Sequence, residues 1–309
     1  MKKRSLLFAL VLSCCLTGTS MGGGSGAYPN GAEGFMAGAV PPPGTYFINY
    51  LNYYTADSYK DDNGDDYTAG PLSDIEVNVW AEVLRFLHVT DFKLLGANYA
   101  VHIFIPYANL DFDFGAPFGA LGDSRSGLGD IIIDPFILAW HSKHFHWVAG
   151  LDIYVPTGKY DADKEPINPG NNVWTFEPVF AVTYLNGPFD VSFKFMYDIN
   201  TENDDYLPAG QTQTTDLTPG QEFHFDYALG YNVNKAWEVG LNGYYYRQVT
   251  DDEVNGVDVA NQKGQVFAIG PAAKFNYKNM SFILKSQWET AVENRPEGVS
   301  NWFKFVYVF

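Results

Sequence analysis

The sequence predicts an all-β protein, an antiparallel transmembrane β-barrel of about 12 strands. Three observations lead to this prediction. Apolar and polar residues alternate with a period of two along most of the chain, which is typical of strands with two different faces. The connections between these runs are alternately long and short, as in outer-membrane barrels. Aromatic residues make up 17% of the 309 residues, and they favour strands and membrane interfaces.

Residues 1–27 have the character of a secretory signal peptide. Basic residues precede the apolar run Leu6–Leu12, which is shorter than the roughly 20 residues that span a bilayer, and Ser25-Gly26-Ala27 fits a cleavage site. Val11–Cys14 also resembles a lipoprotein cleavage box, so lipidation of Cys14 is the alternative. Both cysteines, Cys14 and Cys15, lie here. We therefore expect no disulfide and no thiolate metal site in the mature chain.

Residues 28–43 precede the first strand on the expected periplasmic side and lack strand alternation. Pro41-Pro42-Pro43 favours a stiff, extended backbone. The segment is predicted either to enter the lumen as a small plug or to line the rim.

The barrel is predicted over residues 44–309. Its strands are expected at 44–56, 74–88, 94–110, 128–141, 146–157, 173–185, 189–199, 221–233, 237–250, 264–276, 280–291 and 299–309. The long connections are 57–73, 111–127, 158–172, 200–220, 251–263 and 292–298, and the shorter ones lie at the opposite rim. A secreted soluble β protein is the alternative, but the apolar face of most strands favours contact with lipid.

The last strand places aromatic residues at alternate positions up to Phe309. Such an ending resembles the signal read by the bacterial barrel-assembly machinery, which is a predicted partner together with membrane lipid. Bacterial outer membrane is the predicted location.

The net charge is −17, which excludes a nucleic-acid partner because phosphate contacts need a basic surface. The six long connections hold 21 of the 36 acids and only 6 basic residues, so the external rim is expected to be strongly acidic.

With the apolar faces outward, most strand acids are expected to point into the lumen. These are Asp74, Glu76, Glu82, Asp130, Asp134, Asp152, Glu177, Asp190, Asp198, Glu222, Asp226, Glu238 and Glu289, with Lys194, Lys274, Lys285 and Lys304 as cations. The same alternation places Arg85 and Arg247 on the outward face. The candidates for a lumen or selectivity role are Glu222, His224, Asp226, Glu177, Asp130, Asp134, Asp152, Lys194, Lys285 and Glu289.

Glu222, His224 and Asp226 share one strand face, where two carboxylates flank an imidazole. They could form a proton relay, half of a metal site, or a hydrogen-bond network that braces the wall. Asp61–Asp65 carries oxygen ligands but lacks the bidentate glutamate of an EF-hand, so a solvated loop is favoured. No Gly-x-Ser-x-Gly motif occurs. We predict no catalytic residue, no metal and no cofactor.

The chain resembles the bacterial family labelled "putative MetA-pathway of phenol degradation". The matching stretches are Glu33-Gly34-Phe35, 41–44, 127–130, 150–152, 156–158, 174–178, 220–223, 244–248, 294–296 and the aromatic terminus. The resemblance implies an outer-membrane barrel with a transport role.

A barrel of eight strands has an interior filled by side chains, and a barrel of 16–18 strands encloses a water channel. The interior of a twelve-stranded barrel is expected to be intermediate in width. The leading hypothesis is passive passage of small hydrophobic or aromatic solutes through an acidic lumen. The alternatives are an outer-membrane enzyme that uses a lumen or rim histidine, and a structural or adhesive barrel.

Overall fold

The computed structural model describes residues 26–119, 122–164, 167–208 and 211–309. The predicted signal peptide falls almost entirely outside these residues. In chain order, the strands of the described part are β1 (Gly44–Tyr59), β2 (Ile75–Leu94), β3 (Ala97–Phe114), β4 (Asp123–Leu128), β5 (Ile131–His141), β6 (Phe145–Val155), β7 (Thr175–Asn186), β8 (Phe189–Asn200), β9 (Asn203–Tyr206), β10 (Thr215–Thr218), β11 (Glu222–Asn232), β12 (Trp237–Gln248), β13 (Asp252–Val254), β14 (Val257–Val259), β15 (Gln265–Tyr277), β16 (Met280–Glu293) and β17 (Pro296–Val308).

The main sheet is a closed antiparallel barrel of twelve wall strands. β4 and β5 both pair with β3 and form two halves of one wall strand, which is interrupted at Gly129-Asp130. The wall runs β2-β1-β17-β16-β15-β12-β11-β8-β7-β6-β5, and β3 joins β5 to β2. The predicted all-β, twelve-stranded barrel is therefore confirmed. Closure pairs the first and last strands, from Tyr46 opposite Val308 to Tyr59 opposite Pro296.

Short 3-10 turns occur at Pro71–Asp74 and Ala162–Lys164. Across the described residues, no helix has the length and apolar character that crossing a membrane requires.

The long connections contain structure that alternation did not predict. β9, β10, β13 and β14 form a small second sheet beyond the rim, in which β10 pairs with β13 of the neighbouring connection. The predicted long loop 292–298 was wrong, because β16 continues to Glu293 and β17 begins at Pro296. Asn294 adopts a left-handed backbone with φ of 52°. Asparagine tolerates this conformation, so the chain can reverse within two residues.

Exposed aromatic residues form two belts on the outer surface. Trp80, Tyr107, Phe176 and Trp288 lie toward the long-loop rim, and Phe145, Phe189, Tyr231, Trp237 and Tyr277 lie toward the short-turn rim. Belts of this kind mark the two membrane interfaces of outer-membrane barrels. Both ends of the barrel chain lie at the short-turn rim, where Phe309 is exposed and its N–H bonds Thr45.

The predicted orientation of β2 was wrong. Val77, Val79, Ala81 and Val83 face the lumen, whereas Glu76 and Glu82 are exposed on the outside. Asp74 is exposed in the turn before the strand. Arg85, predicted to point outward, instead reaches Glu33 inside the barrel.

The position of the upper belt explains the inversion of the residues before Trp80. β2 has 20 residues, and Asn78 and Glu76 lie beyond Trp80, on the water side of the belt. An outward side chain meets water at that height, so the apolar side can line the cavity. Glu82 lies one outward position below Trp80 and accepts a hydrogen bond of 2.8 Å from Asn49.

The orientation of β2 can be tested with a matched pair of arginines. Leu84→Arg places the charge on the lipid face, where a charge costs up to about 2–4 kcal/mol. Val79→Arg places it in the lumen, where water and acidic groups can reach it. We expect urea unfolding in lipid vesicles to show the larger loss of stability for Leu84→Arg. The opposite order would restore the orientation that alternation predicted.

Candidate functional site

Residues 26–43, called here the N-terminal segment, lie inside the barrel. Asp226 on β11 accepts three hydrogen bonds from it: from Gly31 N–H at 2.8 Å, Glu33 N–H at 2.9 Å and the Tyr28 hydroxyl at 2.6 Å. Met36 N–H bonds Asp190 on β8. Hydrogen bonds to a charged acceptor are stronger than neutral ones. Asp226 therefore provides a strong fixed point for a segment with no strand of its own.

Lys285 on β16 holds the same stretch through its carbonyl groups. Its ammonium donates to the carbonyls of Gly31, Ala32 and Glu33, at 2.7 Å for the last two. Gly31 has a φ of 81°, and a Cβ there would meet the Gln287 side chain at 2.3 Å. Glycine is thus required where the backbone approaches the wall.

Glu33 carries the charge of the N-terminal segment across the lumen. Its carboxylate accepts from Lys304 at 2.6 Å, from Tyr50 at 2.8 Å and from Arg85 at 3.1 Å. Burial alone would raise the pKa of Glu33, but the cations of Lys304 and Arg85 outweigh burial and hold this pKa well below its ordinary value. β2, which carries Arg85, lies opposite β11 in the ring of strands. The segment therefore bridges opposite walls.

Two cavities lie on either side of the N-terminal segment. The outer cavity has a volume of about 460 Å³ and opens toward the long loops; the inner cavity has about 310 Å³ and opens toward the short turns. Both are bounded by Ala32, Glu33, Asp152 and Lys194. These four residues form the boundary between the two halves of the lumen.

The outer cavity has two chemically different walls. β2 and β3 supply an apolar surface that includes Val77, Val79, Phe104, Leu110 and Phe112. Asp152 on β6 and Lys194 on β8 line another part of this cavity, and Glu289 on β16 lines a third. The apolar side chains of the lining are therefore concentrated on β2 and β3.

Asp130 and Asp134 bond backbone amides of the wall and its loops. Asp130 accepts from the N–H groups of Gly158 and Asn171, both at 2.8 Å. Asp134 accepts from Phe136 at 2.7 Å and Leu151 at 3.0 Å. These bonds brace the interruption between β4 and β5 and the neighbouring strand.

Glu289 on β16 accepts from the hydroxyls of Tyr54 and Tyr244 and from the N–H of Gly298 at 2.7 Å. All three partners belong to the barrel wall. Glu289 thus joins neighbouring strands and has no contact with the N-terminal segment among its hydrogen bonds.

Asp152 belongs to a second charged group on the polar wall. It bonds His102 Nε2 at 2.6 Å and lies 3.7 Å from the Lys194 ammonium, which sits 4.5 Å from the centre of the Tyr28 ring. The other ring nitrogen of His102 lies 2.9 Å from an Arg85 nitrogen. Both nitrogens of this imidazole therefore have partners.

Glu177, Glu222 and His224 lie deeper in the wall, each at most 1% exposed. Glu222 is opposite Asp198 in the β11–β8 ladder, and Glu177 is opposite Asp152 in the β7–β6 ladder. The structure thus brings Glu177, Glu222 and His224 together with Asp198. Asp226, from the same strand face, instead serves the N-terminal segment.

Sequence reasoning did not include Glu33, Arg85, Lys304 or His102 among the candidate site residues. One signal was available for Glu33, which is the only charged residue in 28–43. A lone acid in a segment that could enter an acidic lumen needs cations as partners.

Residues 56–305 match the protein family described as "Putative MetA-pathway of phenol degradation". The chain belongs to this family. No curated protein sequence matches the chain. Family membership agrees with the resemblance found in the sequence.

One solved structure shares the barrel fold of this family member, and two others superpose on it less well. An outer membrane channel from Pseudomonas putida F1 superposes with a TM-score of 0.76 at 19% identity, covering 88% of this chain and 97% of that chain. The KdgM porin gives a TM-score of 0.44 at 6% identity, covering 85% and 99%. A mutant of the TodX monoaromatic hydrocarbon channel gives 0.45 at 9%, covering 87% and 91%. The first of these establishes the common fold.

The lumen histidines bear on the enzyme alternative. Among the described residues, the side-chain hydrogen bonds of His102 and His224 go to Arg85, Asp152 and Asp198. None goes to a serine hydroxyl that could act as a nucleophile. The geometry gives no support to a serine-based hydrolase in the lumen.

The anchoring role of Asp226 can be measured by hydrogen exchange. Asp226→Asn removes the charge that accepts from Gly31 and Glu33, and such bonds are worth about 1.5–3 kcal/mol. We expect their amides to exchange roughly 10- to 100-fold faster. Glu289→Gln is the control, because its hydrogen-bond partners all lie in the wall. Equal exchange in Asp226→Asn and the wild type would contradict the assignment.

The ion pairs of Glu33 should persist to low pH. Because its pKa is lowered on docking, their contribution is fully present above the ordinary glutamate pKa of about 4.3 and is lost as the pH falls through the lowered value. We expect the difference in unfolding free energy between wild type and Glu33→Gln to stay constant from pH 7 to about pH 5. Asp57→Asn, at an exposed position of β1, serves as the control. A difference that shrinks within that range would refute the prediction.

Proposed function

We propose that this protein is an outer-membrane channel for the passive diffusion of small hydrophobic or aromatic compounds, and that the N-terminal segment is its gate. The observation that carries the proposal is the apolar wall of the outer cavity. It leads from the long-loop rim to Glu33, while Asp226 on the opposite side of the barrel is engaged with the segment through Tyr28.

The size of the outer cavity supports solutes of this kind. An engineered apolar cavity of about 150 Å³ binds benzene. The outer cavity, at about 460 Å³, is larger than a single-ring compound needs. The family description, which refers to phenol degradation, supports the same chemical class. The fold shared with an outer membrane channel is compatible with passage through the barrel.

Several features support the segment 28–43 as a gate. It separates the two cavities, and its attachments to Asp226, Lys285 and Lys304 are polar contacts that can break and re-form. The segment enters β1 from the short-turn rim. A shift of residues 28–40 would join the inner and outer cavities without disturbing the wall.

Uptake into proteoliposomes tests the apolar path. Val79→Asp places a carboxylate on the path, and desolvation of this group disfavours passage of apolar solutes. We expect several-fold slower uptake of single-ring aromatic compounds, with benzene and phenol as probes. Asn78→Asp is the matched control, because residue 78 lies on the opposite face of the same strand. Equal uptake by Val79→Asp and Asn78→Asp would remove the support for the path.

The same assay addresses the gate. Asp226→Asn loosens the N-terminal segment and should raise uptake and single-channel conductance above those of the wild type. Unchanged flux together with faster amide exchange at Gly31 would show that release of the segment does not control passage.

A further inference from the structure

The buried group formed by Glu177 on β7, Asp198 on β8 and His224 on β11 has no complete set of partners. All three residues are at most 1% exposed. Glu177 Oε1, Asp198 Oδ1 and His224 Nδ1 have no hydrogen-bond partner. A buried carboxylate without a partner costs several kcal/mol, so such a group requires a proton or a cation.

The remaining atoms of the group converge on one point. His224 Nε2 lies 3.2 Å from Asp198 Oδ2 and 3.7 Å from Glu177 Oε2, and one ligand atom of each residue lies within 4.8 Å of the others. A tetrahedral ion with bonds of about 2.1 Å separates its ligands by about 3.4 Å. The two distances from His224 Nε2 are close to that value.

The charges nearby leave the group negative. Lys194 is the nearest ammonium, at 3.9 Å from Glu177, and it also lies 3.7 Å from Asp152. The Tyr154 hydroxyl donates to Glu177 Oε2 at 3.0 Å but carries no charge. If the imidazole is neutral, the nearest positive charge to the Glu177 and Asp198 carboxylates is therefore Lys194, which Asp152 also shares.

A second group of similar composition shows what a satisfied site looks like. His102, Asp134 and Asp152 also place three ligand atoms within 4.8 Å. There, however, both His102 nitrogens have partners in Arg85 and Asp152, and Asp134 accepts two backbone N–H bonds. Arg85 supplies the positive charge at that group.

We propose that Glu177, Asp198 and His224 bind one divalent first-row transition-metal ion within the barrel wall. One imidazole with two carboxylates suits these ions better than Mg²⁺ or Ca²⁺, which prefer all-oxygen ligands. The ion joins β7, β8 and β11. It lies beside the N-terminal segment, because the Tyr28 ring is 5.2 Å from the His224 ring. This site is independent of the proposed solute path, whose apolar wall is on β2 and β3.

Zn²⁺ retention tests the site on the full mature barrel, refolded with Zn²⁺ and then desalted. The background carries His141→Gln and His146→Gln, which remove an exposed pair with Nδ1 atoms 2.9 Å apart. We expect one equivalent of Zn²⁺. Loss of a residue that only hydrogen-bonds a metal ligand costs roughly 10- to 100-fold in affinity, and we expect this effect for Tyr154→Phe. His224→Gln and Glu177→Gln remove a ligand and should weaken Zn²⁺ binding by more than that.

His102→Gln is the matched control and should retain the metal. No retained Zn²⁺ in the background, or equal retention in His224→Gln, would overturn the proposal and leave protons as the compensating charge. X-ray absorption of the Zn²⁺-loaded background protein keeps the test independent of variant folding. One imidazole with oxygen ligands is expected, and none or two would refute the site.

Discussion

A strand that crosses lipid can find hydrogen-bond partners only within the protein, and this constraint determines the rest of the molecule. The twelve wall strands satisfy it by closing β1 onto β17, so that every strand has two neighbours. Closure leaves two faces with opposite requirements. The outer face must be apolar between the aromatic belts, so charged side chains of the membrane region collect in the lumen.

Charges buried inside the lumen need partners, and the N-terminal segment supplies many of them. Asp226 accepts hydrogen bonds from backbone N–H groups of the segment, and Lys285 donates to its carbonyls. Arg85 and Lys304 both form ion pairs with the Glu33 carboxylate. The segment and the wall thus depend on each other. Without residues 28–43, three cations of the wall and the Asp226 carboxylate would lose these contacts.

The barrel could be predicted from sequence because lipid imposes a period of two on β7, β8, β11 and most other strands. The same rule failed for β2, because residues 75–79 of that strand lie beyond the Trp80 belt, where the outer face meets water. The small sheet of β9, β10, β13 and β14 could not be predicted, since it forms by pairing between separate loops. The candidate residues Asp226 and Lys285 were identified only because the alternation along their strands places them on the inward face. Their real partner, the backbone of Gly31–Glu33, has no side-chain pattern that a sequence could reveal.

The uneven distribution of polarity around the lumen reconciles a filled barrel with a path for solutes. If charges lined the whole circumference, an apolar molecule would have to displace paired ions at every level, and each broken buried pair would cost several kcal/mol. Here, at the level of the outer cavity, β2 and β3 present valine, leucine and phenylalanine, whereas Asp152 and Lys194 lie on β6 and β8. An apolar solute can therefore follow β2 and β3 through the outer cavity until it meets the charged crossing that Glu33 makes with Arg85 on β2 and Lys304 on β17. That crossing is made by a segment outside the wall, so it can move while the barrel hydrogen bonds stay intact.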